Sequence, residues 1–261
     1  MTSLIVAGLV TAGCSHSSSG KTASTSSTLT SPSSSATSTG SITVFAAASL
    51  TNAFTKLGKA FEAAHPGSTV RFSFGPSSGL AQQIIAAAPA DLFASASAKN
   101  MKQVTDAGDA TGPRTFAKNV AEIAVAPASA TRIKTLADLS KGGVKIALCQ
   151  PQVPCGALAS KVLAKAKVTV KPVTQGLDVK STLAYVTNGQ VDAAIVYVTD
   201  VLAAGSKVTG VQIPEAFNTS TAYEIAPVKA GTNTTLAQAF EDYVLSDQGQ
   251  AALAAAGFTK P

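Results

Sequence analysis

The sequence contains no tryptophan, and only 5% of its 261 residues are aromatic. Platforms that stack sugar rings or single-stranded bases are built from aromatic faces, so the shortage argues against both ligand classes. Histidine occurs only at positions 16 and 65, and neither His16 nor His65 sits in a cluster of further ligands. A zinc site and a histidine-dependent nucleophile are therefore not signalled. Charge is sparse too: 13% of residues are charged, and the net +6 comes from scattered lysines rather than a basic block. That pattern reads as a solvated surface and not as a nucleic-acid interface. What is abundant is Ala and Val. With 46% hydrophobic residues the chain can build two lobes of ordinary domain size around real cores.

No apolar run near the N-terminus is long enough to span a bilayer, since residues 4–10 form only a short one. It leads through TAGC at 11–14 into Cys14, which resembles a lipoprotein signal with its lipobox, although no Lys or Arg precedes the run and Thr11 stands where Leu is commoner. Acylation of Cys14 would anchor the exported protein to the outer face of the cytoplasmic membrane. Residues 15–40 are almost entirely Ser, Thr, Ala and Gly, too poor in apolar surface to offset the entropy of ordering, and read as a disordered tether. Folding is expected from residue 41 onward. The two other cysteines, Cys149 and Cys155, flank Gln-Pro-Gln-Val-Pro, and in an exported context they are expected to form a disulfide. Closing so short a loop contributes roughly 2 kcal/mol, so its purpose is to fix loop shape.

Residues 42–46 read as a buried strand, and Leu50, Ala53, Phe54, Leu57 and Phe61 then recur at helical spacing until His65-Pro66-Gly67 stops the helix. The unit repeats with a strand at 70–74, a turn at 76–79 and a helix opening at Leu80, Ile84 and Ile85; a short strand follows at 92–94. Strands at 122–126 and 144–148 enclose a helix-like stretch at 136–139. Helices are expected at 157–166, 182–186 and 236–245, and a fully apolar strand at 193–198. This alternation predicts an α/β fold of mostly parallel sheets flanked by helices, with ligands held at the carboxyl ends of the strands beside helix N-termini.

Four loops, at 46–49, 75–79, 153–156 and 177–179, each lead directly into an expected helix. Helix N-termini present unpaired N–H donors and the positive end of the macrodipole, so their convergence makes an anion site without any charged side chain. Ser49 and Ser77 add hydroxyl donors, although either serine taken alone reads as a helix cap, as does Asp178. Asp91 and Asp192 precede buried strands and read as turn caps. A secreted hydrolase using Ser49 or Ser77 as nucleophile lacks a base, and the Gly-x-Ser-x-Gly pattern is absent.

VFAAASLTN at 44–52, SSGLA at 77–81, APADLFAS at 88–95 and IVY at 195–197 together resemble the molybdate-binding proteins of bacterial ABC importers, the ModA family, and the stretch 149–156 is most similar to its actinobacterial branch. The resemblance implies a two-lobed periplasmic-binding-protein fold of type II with a two-segment hinge near 124–128 and 214–221. Residues 41–124 and 219–261 would form the first lobe and 125–218 the second, after a signal at 1–14. It also implies a ligand set for a tetrahedral oxyanion, molybdate or tungstate: the hydroxyls of Ser49, Ser77 and Tyr197 and the backbone N–H groups of Cys155 and Val179. Many relatives carry alanine where Cys155 stands, and serine where Pro76 stands. No cofactor, no catalysis and no metal apart from the oxyanion itself are implied. The implied partners are the oxyanion, the membrane permease of an ABC importer and, through the lipid, the membrane; nucleic acid is not among them, and the protein would be a monomer. Sulfate and phosphate are the nearest alternative ligands. Phosphate keeps a proton and calls for an acceptor, whereas sulfate differs from molybdate only in size.

Overall fold

The computed structural model describes residues 39–261. The lipobox, Cys14 and nearly all of the 15–40 tether lie outside the described residues.

In the first lobe β1 (Gly40–Ala47) lies between β2 (Ser68–Gly75) and β3 (Leu92–Ser95), parallel to both. A central parallel strand is covered on both faces. Accordingly Ile42, Val44 and Ala46 pack with Phe54, Leu57 and Phe61 of α1 (Thr51–Ala64), while Phe45 packs on the other side with Leu80 and Ile84 of α2 (Ser77–Ile85) and with Met101 and Val104 of α3 (Ala98–Asp106). Gly67, at φ +88°, turns the chain from α1 into β2, a conformation open to glycine at little cost.

The chain then enters β4 (Arg114–Val125). As far as Val120 this strand pairs antiparallel with β9 (Ser220–Pro227) in the first lobe; from Ala121 it pairs with β7 (Ala193–Tyr197), and from Glu122 also with β8 (Thr209–Gln212), in the second. The crossing therefore falls inside one continuous strand, a few residues ahead of 124–128, where no turn residue marks it. The return runs through 213–219. There the Asn218 side chain accepts the Ala121 N–H at 3.2 Å and donates to the Ala121 carbonyl at 2.9 Å, tying the two crossings together.

The second lobe centres on β5 (Ile146–Cys149), parallel to both β6 (Thr174–Gly176) and β7. Its core joins Ile123, Val125, Ile146 and Ile195 to Leu158 and Val162 of α4 (Pro154–Ala166) and to Leu183 and Val186 of α5 (Val179–Thr187); α6 (Val198–Ala204) follows β7. Residues Leu136–Ser140 form a 3-10 turn closed by Thr135 and Asp138 rather than an α-helix. Finally α7 (Thr234–Leu245) and α8 (Asp247–Ala255) return Leu236, Phe240, Val244 and Leu253 to the first lobe's core. The architecture is α/β, with a mixed rather than mostly parallel sheet: every antiparallel pairing between named strands involves β4 or β9, the hinge strands. No helix among the described residues is long and apolar enough to cross a membrane.

Candidate functional site

β1 runs into a 3-10 turn (Ala48–Leu50) that opens α1, which puts Ser49 in a first turn. β2 ends at Gly75, Pro76 occupies the cap position with extended backbone, and Ser77 is the first residue of α2. In the second lobe Cys155 is the second residue of α4, behind Pro154. Val179 is the first residue of α5, whose cap Asp178 accepts the Ser181 N–H at 2.8 Å. Tyr197 ends β7 in the cap position of α6. First-turn N–H groups have no acceptor within their own helix, and they carry the positive end of its dipole.

Ser49, Ser77, Cys155, Val179 and Tyr197 line a single cavity between the lobes, together with Ala47, Gly75, Pro76 and Ala96. Ala48, from the first lobe, packs into the second lobe's core, so the lobes are closed on one another. The cavity leaves about 20 Å³ for the centre of a water-sized sphere. No Lys, Arg or His lines it, and its one charged residue, Asp178, is engaged as a helix cap.

The three hydroxyls differ in their partners. Ser77 Oγ accepts the Ala96 N–H at 3.0 Å, which leaves its own proton for the cavity. Ser49 Oγ lies 2.8 Å from the hydroxyl of buried Tyr223. Tyr197 Oη is fully buried and makes no geometric hydrogen bond among the described residues. An orphaned buried hydroxyl costs about 1–3 kcal/mol, and an oxygen in the cavity would remove that cost. Burial holds the Tyr197 phenol well above its ordinary pKa, reinforced by the neighbouring Tyr223 and Asp200, so it is a neutral donor.

Behind Tyr197 lies Asp200, completely buried, which accepts the Tyr197 N–H at 3.3 Å. Its Oδ1 sits 2.9 Å from Lys180 Nζ in a charge pair without hydrogen-bond geometry. Burial pushes the Asp200 carboxyl above the usual range, and Lys180 opposes the shift. Because Lys180 follows Val179, the pair fastens the start of α5 to that of α6.

A disulfide joins Cys149 at the end of β5 to Cys155, with Cα atoms 5.8 Å apart. The Thr182 hydroxyl donates to Cys149 Sγ at 3.2 Å. A Cβ on Gly156 would stand 1.9 Å from the Gln150 carbonyl oxygen, so only glycine lets the enclosed loop fold back onto α4. Together these contacts fix the direction of the Cys155 N–H.

Other residues singled out in the sequence have structural work. His65 stacks on Phe61 with ring centroids 4.0 Å apart and is not part of the cavity wall. Asp91 accepts backbone N–H groups of Thr43 and Thr232, both at 2.7 Å, and Asp192 pairs with Arg132 at 2.8 Å and holds the Lys145 N–H. Sequence reasoning missed Ala96, Asn119, Tyr223, Lys180 and Asp200. Ala96 lines the cavity and the other four support it from outside, and none stands in a local pattern that announces the role.

The profile of the family described as bacterial extracellular solute-binding protein matches residues 42–259. The chain is 41% identical over 222 residues to the molybdate-binding protein ModA of Mycobacterium tuberculosis, an alignment that covers 85% of each chain. It is 35% identical over 232 residues to the molybdate-binding protein ModA of Escherichia coli, covering 84% of this chain and 89% of that one. The fold is similar to that of the periplasmic molybdate-binding protein of Azotobacter vinelandii, with a TM-score of 0.77 at 20% identity, over 84% of this chain and 99% of that structure. By sequence across nearly all of its folded part, and by a fold that supplies the same two lobes, the chain belongs to the bacterial extracellular solute-binding proteins, in the ModA family.

Proposed function

We propose that the protein captures molybdate or tungstate between its lobes and delivers it to the membrane permease of an ABC importer. It is a solute-binding transport component, not an enzyme. The observation that carries the ligand reading is the orphaned Tyr197 hydroxyl in a small cavity whose lining otherwise offers the Ser49 and Ser77 hydroxyls, first-turn amides and the capping Asp178. A fully deprotonated tetrahedral dianion offers acceptors to all of them. Neutral donors suffice, because each hydrogen bond to a charged group contributes about 1.5–3 kcal/mol. Phosphate would need an acceptor, and Asp178 is already held as a cap. Ser49 and Ser77 come from one lobe and Cys155, Val179 and Tyr197 from the other, so the donor set is complete only on closure, and binding shifts the hinge toward the closed form.

A thermal-shift panel of molybdate, tungstate, sulfate and phosphate tests this reading. At a hundredfold excess over Kd, the cognate anion should stabilise the protein by about 2.7 kcal/mol, or roughly 5–11 °C. Stabilisation by sulfate or phosphate alone would overturn it. Tyr197→Phe should weaken molybdate binding about 10- to 150-fold by calorimetry while leaving the protein folded. Unchanged affinity would remove Tyr197 from the ligand set.

A further inference from the structure

Below the cavity, a buried polar chain crosses the hinge. Asn119, on β4 one residue before the strand changes lobes, donates from Nδ2 to Thr199 Oγ1 at 2.8 Å and, at a longer 3.5 Å, to Tyr223 Oη. The orientation of the amide is fixed, because its Oδ1 accepts the Val120 N–H at 3.0 Å and a backbone N–H can only donate. Nitrogen therefore faces Tyr223. Tyr223, on β9 and with no exposed surface, in turn meets Ser49 Oγ at 2.8 Å.

An amide NH₂ can only donate, so Tyr223 Oη receives from Asn119. It meets Ser49 Oγ at 2.8 Å, a contact in which either hydroxyl can donate, and so anchors that oxygen from behind the cavity. Ser77 Oγ is anchored in the same way by the Ala96 N–H. We infer that Asn119 and Tyr223 are positioning residues that, without touching the anion, hold the Ser49 hydroxyl at the place where it meets the anion. This rests on the proposed anion site.

The test is a double-mutant cycle read by calorimetric titration with sodium molybdate, using the wild type, Tyr223→Phe, Ser49→Ala and the pair. Tyr223→Phe should lower affinity about three- to tenfold when Ser49 is present and have no effect when Ser49 is alanine, because residues in contact couple by this much. Equal effects in both backgrounds would overturn the inference while leaving the anion site standing. If Ser49→Ala leaves affinity unchanged, the site reading itself fails and the inference with it. Should Tyr223→Phe not fold, Asn119→Asp carries the same cycle. Repulsion from its new carboxylate acts in both backgrounds and cancels, so only the part routed through Ser49 remains.

Discussion

Replacing Ser49 and Ser77 together by alanine is expected to lower molybdate affinity about 10²- to 10⁴-fold. Two hydrogen bonds to a charged ligand at about 1.5–3 kcal/mol each sum to roughly 3–6 kcal/mol, and each 1.4 kcal/mol is a factor of ten. Ser77→Ala also strips the acceptor from the Ala96 N–H, and Ser49→Ala strips a partner from the buried Tyr223 hydroxyl, so each single variant should also lower the ligand-free melting temperature. Calorimetric titration of the single and double variants, beside their unliganded melting curves, separates the two effects. A double variant that binds like the wild type would remove both serines from the site.

The second large effect is on stability. Lys180→Met should destabilise the protein by about 3–5 kcal/mol, because it leaves the buried carboxylate of Asp200 without its counter-charge. For a fold of this size that is a fall in melting temperature of roughly 6–20 °C. The double variant Lys180→Met with Asp200→Asn removes both charges and should recover most of the loss; no recovery would show that Lys180 acts through something other than this pair. The deficit should also depend on pH. Burial raises the Asp200 pKa in the folded state, so the folded form binds the proton more readily than the unfolded chain does. The stabilisation from that proton is complete below the unfolded value near 4 and is lost as pH rises through the raised folded value. Without Lys180 the folded value rises further. The gap between variant and wild type should therefore be widest at neutral pH and narrow as the solution is acidified, which melting curves across pH 4–8 would measure.

The parts of this molecule that could be read from sequence are those where one residue type has one physical use. Ile42, Val44 and Ala46 followed by Leu50, Phe54 and Phe61 spell a strand and a helix, and the small residues between them mark a helix start. Cys155 and Val179 are legible only through family resemblance and not through periodicity, since a backbone N–H carries no side-chain signature. The crossing at Val120 and Ala121 left no mark because an unbroken strand needs no Gly or Pro. Helix α6 was hidden because VTDVLAA continues the apolar run of β7, and only the three-dimensional turn at Tyr197 separates them. Asn119 and Tyr223 were illegible for a different reason: 104 residues separate the two partners, and each gains its meaning from the other.

The orphaned hydroxyl of Tyr197 bears on transport economy. A carrier that shuts while empty would present a permease with a false signal and draw a fruitless stroke from it. If the open form leaves Tyr197 Oη to water, shutting around nothing strands it, a penalty of about 1–3 kcal/mol that would make such vacant closures roughly 5- to 150-fold rarer. On the proposed ligand set, the phenol that grips the anion would thus also guard against mistaking absence for cargo.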